Sequence, residues 1–500
     1  MTARRASLLY ALHVLFSLFC LHPFFQTLLK TFLAFFVIAS VGLAAGLTYV
    51  SLTNKSDAAV SPADYASLSG YCSSIPPITS ADYASRLSRL SSLVATSGHA
   101  AYVMEPGASM LYFGDASWKL SERPFLLVVP ADATPFYIAP AFENGTARES
   151  IGPDAVLYLW QEDESPYDLV DAHLGSAGSI ALDPDTRSFI YFGLAASREV
   201  VSGLDLLRLV RATKSSAEMD IMRCANRATK AAIATVAQRL KLGMSEDDTF
   251  AHIDAALSAA GLSDRWALVL FGPNAAYPHG TANRVTLTDG MMILIDAGGD
   301  LYGYQSDISR TFVFSQDQQQ QHQQDARSDG DAHQHRRRDR PHDLDRDQNS
   351  IMDRDPTQFA RRDLASGMPS ADQEAMWNTV RRAQEKALAA IVKGATAGDL
   401  DAAARREVND ANDYDTFTHR LGHGIGLQGH EEVYMVKGND YPLAVGLCFS
   451  VEPGVYIEGV GGVRIEDIVC ITGESEDGQL QWELFGPQST SIHDPFKDHI

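Results

Sequence analysis

"ILIDAGGDLYGYQSDISRTF", residues 293–312, sets two carboxylates, Asp296 and Asp307, each beside strand-forming residues and on either side of a glycine-rich turn. If the two strands are antiparallel neighbours, both side chains converge at one end of the hairpin. Carboxylates brought together repel each other unless a cation lies between them or one takes a proton. Two surface aspartates beside a turn would look the same in sequence, so the surroundings of this stretch must decide.

Upstream, "KSSAEMDIMRCANRATKAAIATVAQRLKLG" has the spacing of a capped helix: Ser215 and Glu218 form a capping box, and Met222, Ala225, Ala232 and Val236 mark one apolar face. A second helix capped by Ser245 and Asp248 runs to Gly261, and the strands "WALVLFG", "MMILIDAG" and "ISRTFVF" follow. The same order recurs downstream. Helices are expected from about Ser370 to Ile391 and on to Asn412, then strands around "FTHRL", "LCFSVEPG" and "GGVRIEDIVCI". Two passes of helix, helix and strands predict a pseudo-twofold domain whose curved sheet offers a concave face.

The second pass supplies more ligand-type residues. Glu452 in "SVEPGVY" and Glu466 in "GGVRIEDIV" lie inside apolar runs, where charges are seldom found unless paired or ligated. "HRLGHGIGLQGHEE", residues 419–432, adds His419, His423 and His430 among glycines. Two Asp, two Glu and one His form a mainly hard-oxygen set that suits two Mn2+, Co2+ or Zn2+ ions better than a soft-ligand ion.

With "FGPNAAYPHGT" at 271–281, these motifs stand in the order and spacing of a known family. The stretch from about 78 to 475 resembles the pita-bread metallopeptidases, in their prolidase and Xaa-Pro aminopeptidase branch, with a creatinase-like N-terminal domain. The resemblance implies an α+β fold: a small creatinase-like α/β domain followed by the pseudo-twofold pita-bread domain. It implies two divalent metal ions per chain, Mn2+ foremost with Co2+ or Zn2+ as alternatives, held by Asp296, Asp307, His423, Glu452 and Glu466. His279 and His430 match its substrate-handling histidines, and His419 and Arg464 match further positions lining the site. Creatinase shares the fold but lacks the full ligand set, which is complete here.

On this basis the expected reaction is hydrolysis of the bond before proline, in Xaa-Pro dipeptides or short peptides, by a hydroxide between the two ions. His279, His430, Glu452 and Arg464 are its expected catalytic residues. Asp307 and Glu466 are the expected bridges, with Asp296 on one ion and His423 and Glu452 on the other. Lys437 is a candidate point charge for a dipeptide's carboxylate, with Arg420 and Arg464 as other nearby cations. Aminopeptidase action on longer peptides is the alternative. So are a metal-free binding module and a membrane-tethered scaffold without catalysis.

The remaining sequence bounds the partners. A net charge of -22, from 63 acidic against 41 basic residues, argues against nucleic acid. Five cysteines show no CxxC, so a zinc knuckle is not expected, although one or two disulfides are open. Residues 1–55 hold two nearly charge-free stretches, the second twenty residues long (31–50). With Arg4 and Arg5 ahead of them, they predict a single-pass membrane anchor, cytoplasmic N-terminus and lumenal or extracellular catalytic domain, or alternatively secretion. Residues 56–77 read as a linker. Residues 78–205 read as the N-terminal domain, with short apolar runs such as "AAYVM", "MLYFG" and "PFLLVVP" as strands. The catalytic domain is expected over 206–480, interrupted by a low-complexity insert at 315–365, with a tail at 481–500. The expected assembly is a homodimer.

Overall fold

Thr79 begins the first helix by a reciprocal cap: its hydroxyl accepts from Asp82 N, and the Asp82 carboxylate accepts from the Thr79 amide. Two otherwise orphaned donors are thereby satisfied. The computed structural model describes residues 60–175, 178–316, 371–411, 416–493 and 495–496.

The N-terminal domain runs α1 (Ser80–Thr96), β1 (Ala101–Met104), α2 (Ala108–Gly114), β2 (Leu126–Pro130), β3 (Phe136–Pro140), α3 (Asn144–Ile151), β4 (Val156–Trp160), α4 (Pro166–Leu174), β5 (Ile180–Leu182), α5 (Ser188–Ala195) and β6 (Val200–Ser202). Its sheet has the order β4-β3-β2-β1-β5-β6; β2 is antiparallel to both neighbours and the other pairs are parallel. Successive strand residues face opposite sides. Tyr102 and Met104 accordingly join a core with Val94 and Phe113, while Ala101 and Val103 join another with Val170 and Ile190. Burial of both faces explains the unbroken apolar runs. "MLYFG" differs from expectation: it lies in α2, where Met110 and Phe113, three residues apart, are both fully buried. A short apolar run cannot by itself distinguish strand from buried helix.

The C-terminal domain makes the two expected passes. The first is α6 (Ser216–Ala237), α7 (Glu246–Ala259), β7 (Ser263–Phe271), β8 (Met292–Leu301), β9 (Tyr304–Gln305) and β10 (Ile308–Val313). Both capping boxes form, and Met222, Ala225, Ala232 and Val236 are fully buried. The second is α8 (Ala371–Ala389), α9 (Ala397–Ala411), β11 (Gly422–Gly424), β12 (Glu431–Met435), β13 (Cys448–Val451), β14 (Gly454–Ile457), β15 (Gly461–Arg464), β16 (Asp467–Glu474) and β17 (Leu480–Leu484). The sheets are β10-β8-β7 with β9 on β8, then β12-β11-β13-β16-β17, and the pair β14-β15. "FTHRL" is not a strand. Arg405 of α9 donates to the Phe417 and His419 carbonyls at 2.7 and 2.8 Å, taking acceptors that a ladder would have used.

Residues read as a linker are ordered from Ser61 onward. Pro62–Leu68 is a 3-10 helix whose Tyr65 is buried, with its hydroxyl 2.6 Å from His252 Nδ1 on α7 and Arg239 over its ring. A disulfide joins Cys72 to Cys224 of α6, and a second joins Cys448 to Cys470 across β13 and β16. The expected tail also packs: Phe485 and Ile492 are buried, and Pro487 O accepts from Lys230.

The membrane-anchored localisation is corrected. Among the described residues no helix is long and apolar enough to cross a membrane. The stretch that suggested an anchor lies outside the described residues, as do 317–365 of the expected insert.

Candidate active site

β8 and β10 are antiparallel, with Asp296 opposite Ser309, so Asp307 one residue before β10 comes to the same end of the ladder. Glu466 stands between β15 and β16, and its amide donates to Ser309 O at 3.1 Å, tying the second pass to the first. Glu452 follows β13, and His423 is the middle residue of β11.

These side chains form three overlapping groups whose donor atoms lie within 4.8 Å of one another: Asp296, Asp307 and Glu466; His423, Glu452 and Glu466; Asp307, His423 and His430. Asp307, Glu466 and His423 each belong to two. Asp296 Oδ1 is buried with no hydrogen-bond donor, an atom left for an electropositive partner. Burial first, then the neighbouring carboxylates, push Asp307 and Glu466 well above the usual carboxylate range. Burial also raises Glu452, but its hydrogen bond with His423 and the charges of His423, His419 and Arg464 outweigh that and hold it at about 2. A buried acid cluster with an orphaned oxygen and one imidazole fits divalent cations.

The imidazole of His423 is oriented for either role. Its Nδ1 lies 3.1 Å from Gly424 O, which can only accept, so Nδ1 carries a proton and Nε2 faces Glu452 at 3.2 Å and Asp307 at 3.7 Å. Nε2 can donate to Glu452 when protonated, or offer its lone pair to a cation. The glycines around it permit close approach: a Cβ on Gly422 would lie 2.0 Å from Ser450 O.

Arg464 joins the carboxylates. It pairs with Asp296 at 2.7 Å and donates from Nε to Ser309 Oγ at 2.8 Å, and Ser309 donates to Glu466 at 2.8 Å. The path from Arg464 to Glu466 therefore runs through a serine. Arg464 also donates to Tyr456 Oη at 3.0 Å, and Tyr456 lies 2.9 Å from His419 Nε2, whose Nδ1 meets Arg420 O at 2.7 Å. Tyr456 and Ser309 were not singled out in the sequence. The signal for Tyr456 was its place two residues beyond Gly454 in a motif already quoted; Ser309 gave none.

His430 packs against His423 with ring centroids 3.9 Å apart and ring planes tilted by 47°, and its Nδ1 is 3.5 Å from Arg420. Burial first, then the electrostatic effect of the neighbouring His423 and Arg420, push its pKa down to about 4. His279 is exposed beside Pro278, whose carbonyl accepts from Arg464 at 3.3 Å. Lys437 is exposed in the turn beyond β12, away from these contacts, whereas Arg420 lies over the Tyr434 ring at the site.

Comparison with known proteins agrees with this geometry. The family model for the creatinase/prolidase N-terminal domain matches residues 86–213, and that for metallopeptidase family M24 matches 220–329 and 360–473. A probable dipeptidase PepE of Mycobacterium tuberculosis is 32% identical over 405 residues, 80% of this chain and 93% of that protein. An Xaa-Pro dipeptidase of Lactobacillus helveticus is 29% identical over 388 residues, 74% of this chain and 90% of that protein. The crystal structure of dipeptidase PepE from Mycobacterium ulcerans superposes with a TM-score of 0.67 at 31% identity, covering 83% of this chain and 98% of that one. By these matches the chain belongs to metallopeptidase family M24.

Proposed function

We propose that the protein is a dinuclear-metal-dependent peptidase that hydrolyses the bond before proline in Xaa-Pro dipeptides, with Xaa-Pro aminopeptidase action on longer peptides as the second reading. The observation that carries it is the pair of donor groups sharing Glu466, with a buried Asp296 oxygen left unpartnered. Asp296, Asp307 and Glu466 would hold one cation, and His423 and Glu452 the other, with Asp307 and Glu466 shared. Bound there, Mn2+, Co2+ or Zn2+ would supply Lewis acidity to the substrate carbonyl and lower the pKa of a water.

The chain's own residues do the rest. Glu452, held ionised, can take the nucleophile's proton and pass it to the leaving proline nitrogen. His430 is neutral near pH 7, so it meets the developing oxyanion with a hydrogen bond rather than a charge. Arg464 and Ser309 fix Asp296 and Glu466, and Tyr456 and His419 form a wall tied to the same arginine. His279, exposed at the rim, is positioned to meet the substrate. Arg420, held against Tyr434 beside His430, is better placed than Lys437 to receive a dipeptide's carboxylate. The name of the Lactobacillus relative supports the proline preference. A homodimer is part of this reading, since Phe189, Tyr191 and Phe192 of α5 form an exposed aromatic patch that a second copy would cover.

The test is turnover of Xaa-Pro dipeptides and longer Xaa-Pro peptides by protein reconstituted with each cation, together with metal analysis. Full activity in chelator, or two bound ions without hydrolysis of any Xaa-Pro substrate, would overturn the reading.

A further inference from the structure

The residue after His430 faces the opposite way. Glu431 opens β12 opposite Gly424, and its side chain enters the seam with the N-terminal domain, where it meets Arg211 and Lys214. There the carboxylate is buried between two cations, Arg211 Nη2 at 2.7 Å and Lys214 Nζ at 2.5 Å, which are themselves buried. Arg211 also donates to Ser109 Oγ on α2 at 3.0 Å and to Gln428 Oε1 at 2.9 Å, and Gln428 donates to Asp185 at 2.9 Å. Arg208 pairs with Glu432 at 3.1 Å. Arg208 and Arg211 lie on one π-helical segment, Arg208–Ala212, and Lys214 falls between the two family-matched regions.

Apart from the Arg211–Ser109 bond, each of these contacts has one end on residues 428–432, the segment that carries His430. The inner side of the same loop is closed as well. Gln305 N donates to Gly426 O at 2.8 Å, and a Cβ on Gly426 would come within 2.8 Å of the Glu431 carboxylate. Burying two cations and an anion costs more desolvation than an apolar contact of equal size, so stability alone is a weak reason for such a cluster. Its distinctive property is geometric: a forked guanidinium and an ammonium fix one carboxylate from two directions.

We propose that Arg211, Lys214 and Glu431 are positioning residues for His430, so that the segment joining the two domains sets the aim of that imidazole. The inference rests on the catalytic reading of His430 above. It assigns the N-terminal domain a part in catalysis: through Ser109, Asp185 and Arg211 it holds the loop that presents His430 to the substrate.

The experiment is a double-mutant cycle on the metal-reconstituted full chain, with Glu431→Gln, Arg211→Met and Gln428→Ala each made alone and with His430→Ala. Alone, Glu431→Gln and Arg211→Met should lower kcat roughly 10- to 100-fold, with KM and bound metal near wild type. Combined with His430→Ala they should add little, because the group they aim is gone. Losses that multiply in full, or metal loss matching the loss of kcat, would overturn the proposal. If the buried variants do not fold, Gln428→Ala decides, since it cuts a half-exposed bridge. It should lower kcat several-fold in the wild-type background and leave the His430→Ala background unchanged, and any other pattern overturns the proposal. Absence of turnover by wild type would instead count against the peptidase reading itself.

Discussion

Asp307→Asn should make the protein more stable and less able to bind metal at once. Asp307 offers an oxygen within 4.8 Å of oxygens from Asp296 and Glu466. At that separation and an effective dielectric constant near 20, each pair of like charges repels by about 3 kcal/mol, before proton uptake relieves part of it. Burial together with Asp296 and Glu452 pushes Asp307 well above its usual value, so its charged form is disfavoured in the cation-free fold. Removing that charge is therefore worth about 1–3 kcal/mol to the cation-free protein, a rise in Tm on the order of 1–4 °C.

With cation present the order should invert. A cation at 100 times its Kd stabilises the wild type by about 2.7 kcal/mol, and an amide cannot take the place of a shared carboxylate. Thermal melts of both proteins in chelator and in excess Mn2+ give the four values needed. The variant should melt higher in chelator and lower in Mn2+, with activity abolished. A variant that melts below wild type in chelator, or gains as much from Mn2+, would refute the reasoning.

Arg420→Ala should raise KM for Xaa-Pro dipeptides roughly 10- to 100-fold, the loss of one charge-assisted contact, and leave amidated substrates nearly unchanged. Lys437→Ala, assayed beside it, should change neither. Cys72→Ser should cost up to about 5 kcal/mol in denaturant unfolding, since the cross-link closes a separation of 152 residues, and leave kcat intact. The pH dependence of stability should report Glu431. Burial raises its carboxyl, but Lys214 and Arg211 lower it by more, so its folded pKa is depressed. Its contribution is present above its unfolded value and is lost as pH falls through the folded one. As pH falls below the usual glutamate range, Glu431→Gln should therefore lose less stability than wild type in chemical melts.

Glu452 and Glu466 were legible in sequence because each interrupts an apolar run, where a charge demands a reason, and Asp296 and Asp307 because they flank one glycine-rich turn. The long helices were legible through their caps, with Ser215 answering Glu218 and Ser245 answering Asp248 as the spacing foretold. Contacts made at long range were not. Arg405 grips the carbonyls of 417 and 419, so "FTHRL" has the composition of a strand but pairs in ladder fashion only at Leu421, whose amide donates to Met435 O. Arg464 reaches Glu466 through Ser309, whose place two residues beyond Asp307 does not tell in sequence which side chains it would join. The polar stretch before residue 78 gave no hint that one aromatic, Tyr65, would anchor it, because its partner lies 187 residues away.

That anchoring has a consequence for synthesis on the ribosome. Pro62–Leu68 and Cys72 are among the first described residues to emerge, yet Cys224 follows 152 residues later and His252 later still. The N-terminal domain, made in between, can fold as a unit as it appears. Throughout that interval its leading segment has nowhere to dock, and the Cys72 thiol stays without its partner. The first part of the fold to be translated is thus among the last to be fastened, and it can close only over a catalytic domain whose α6 and α7 already exist.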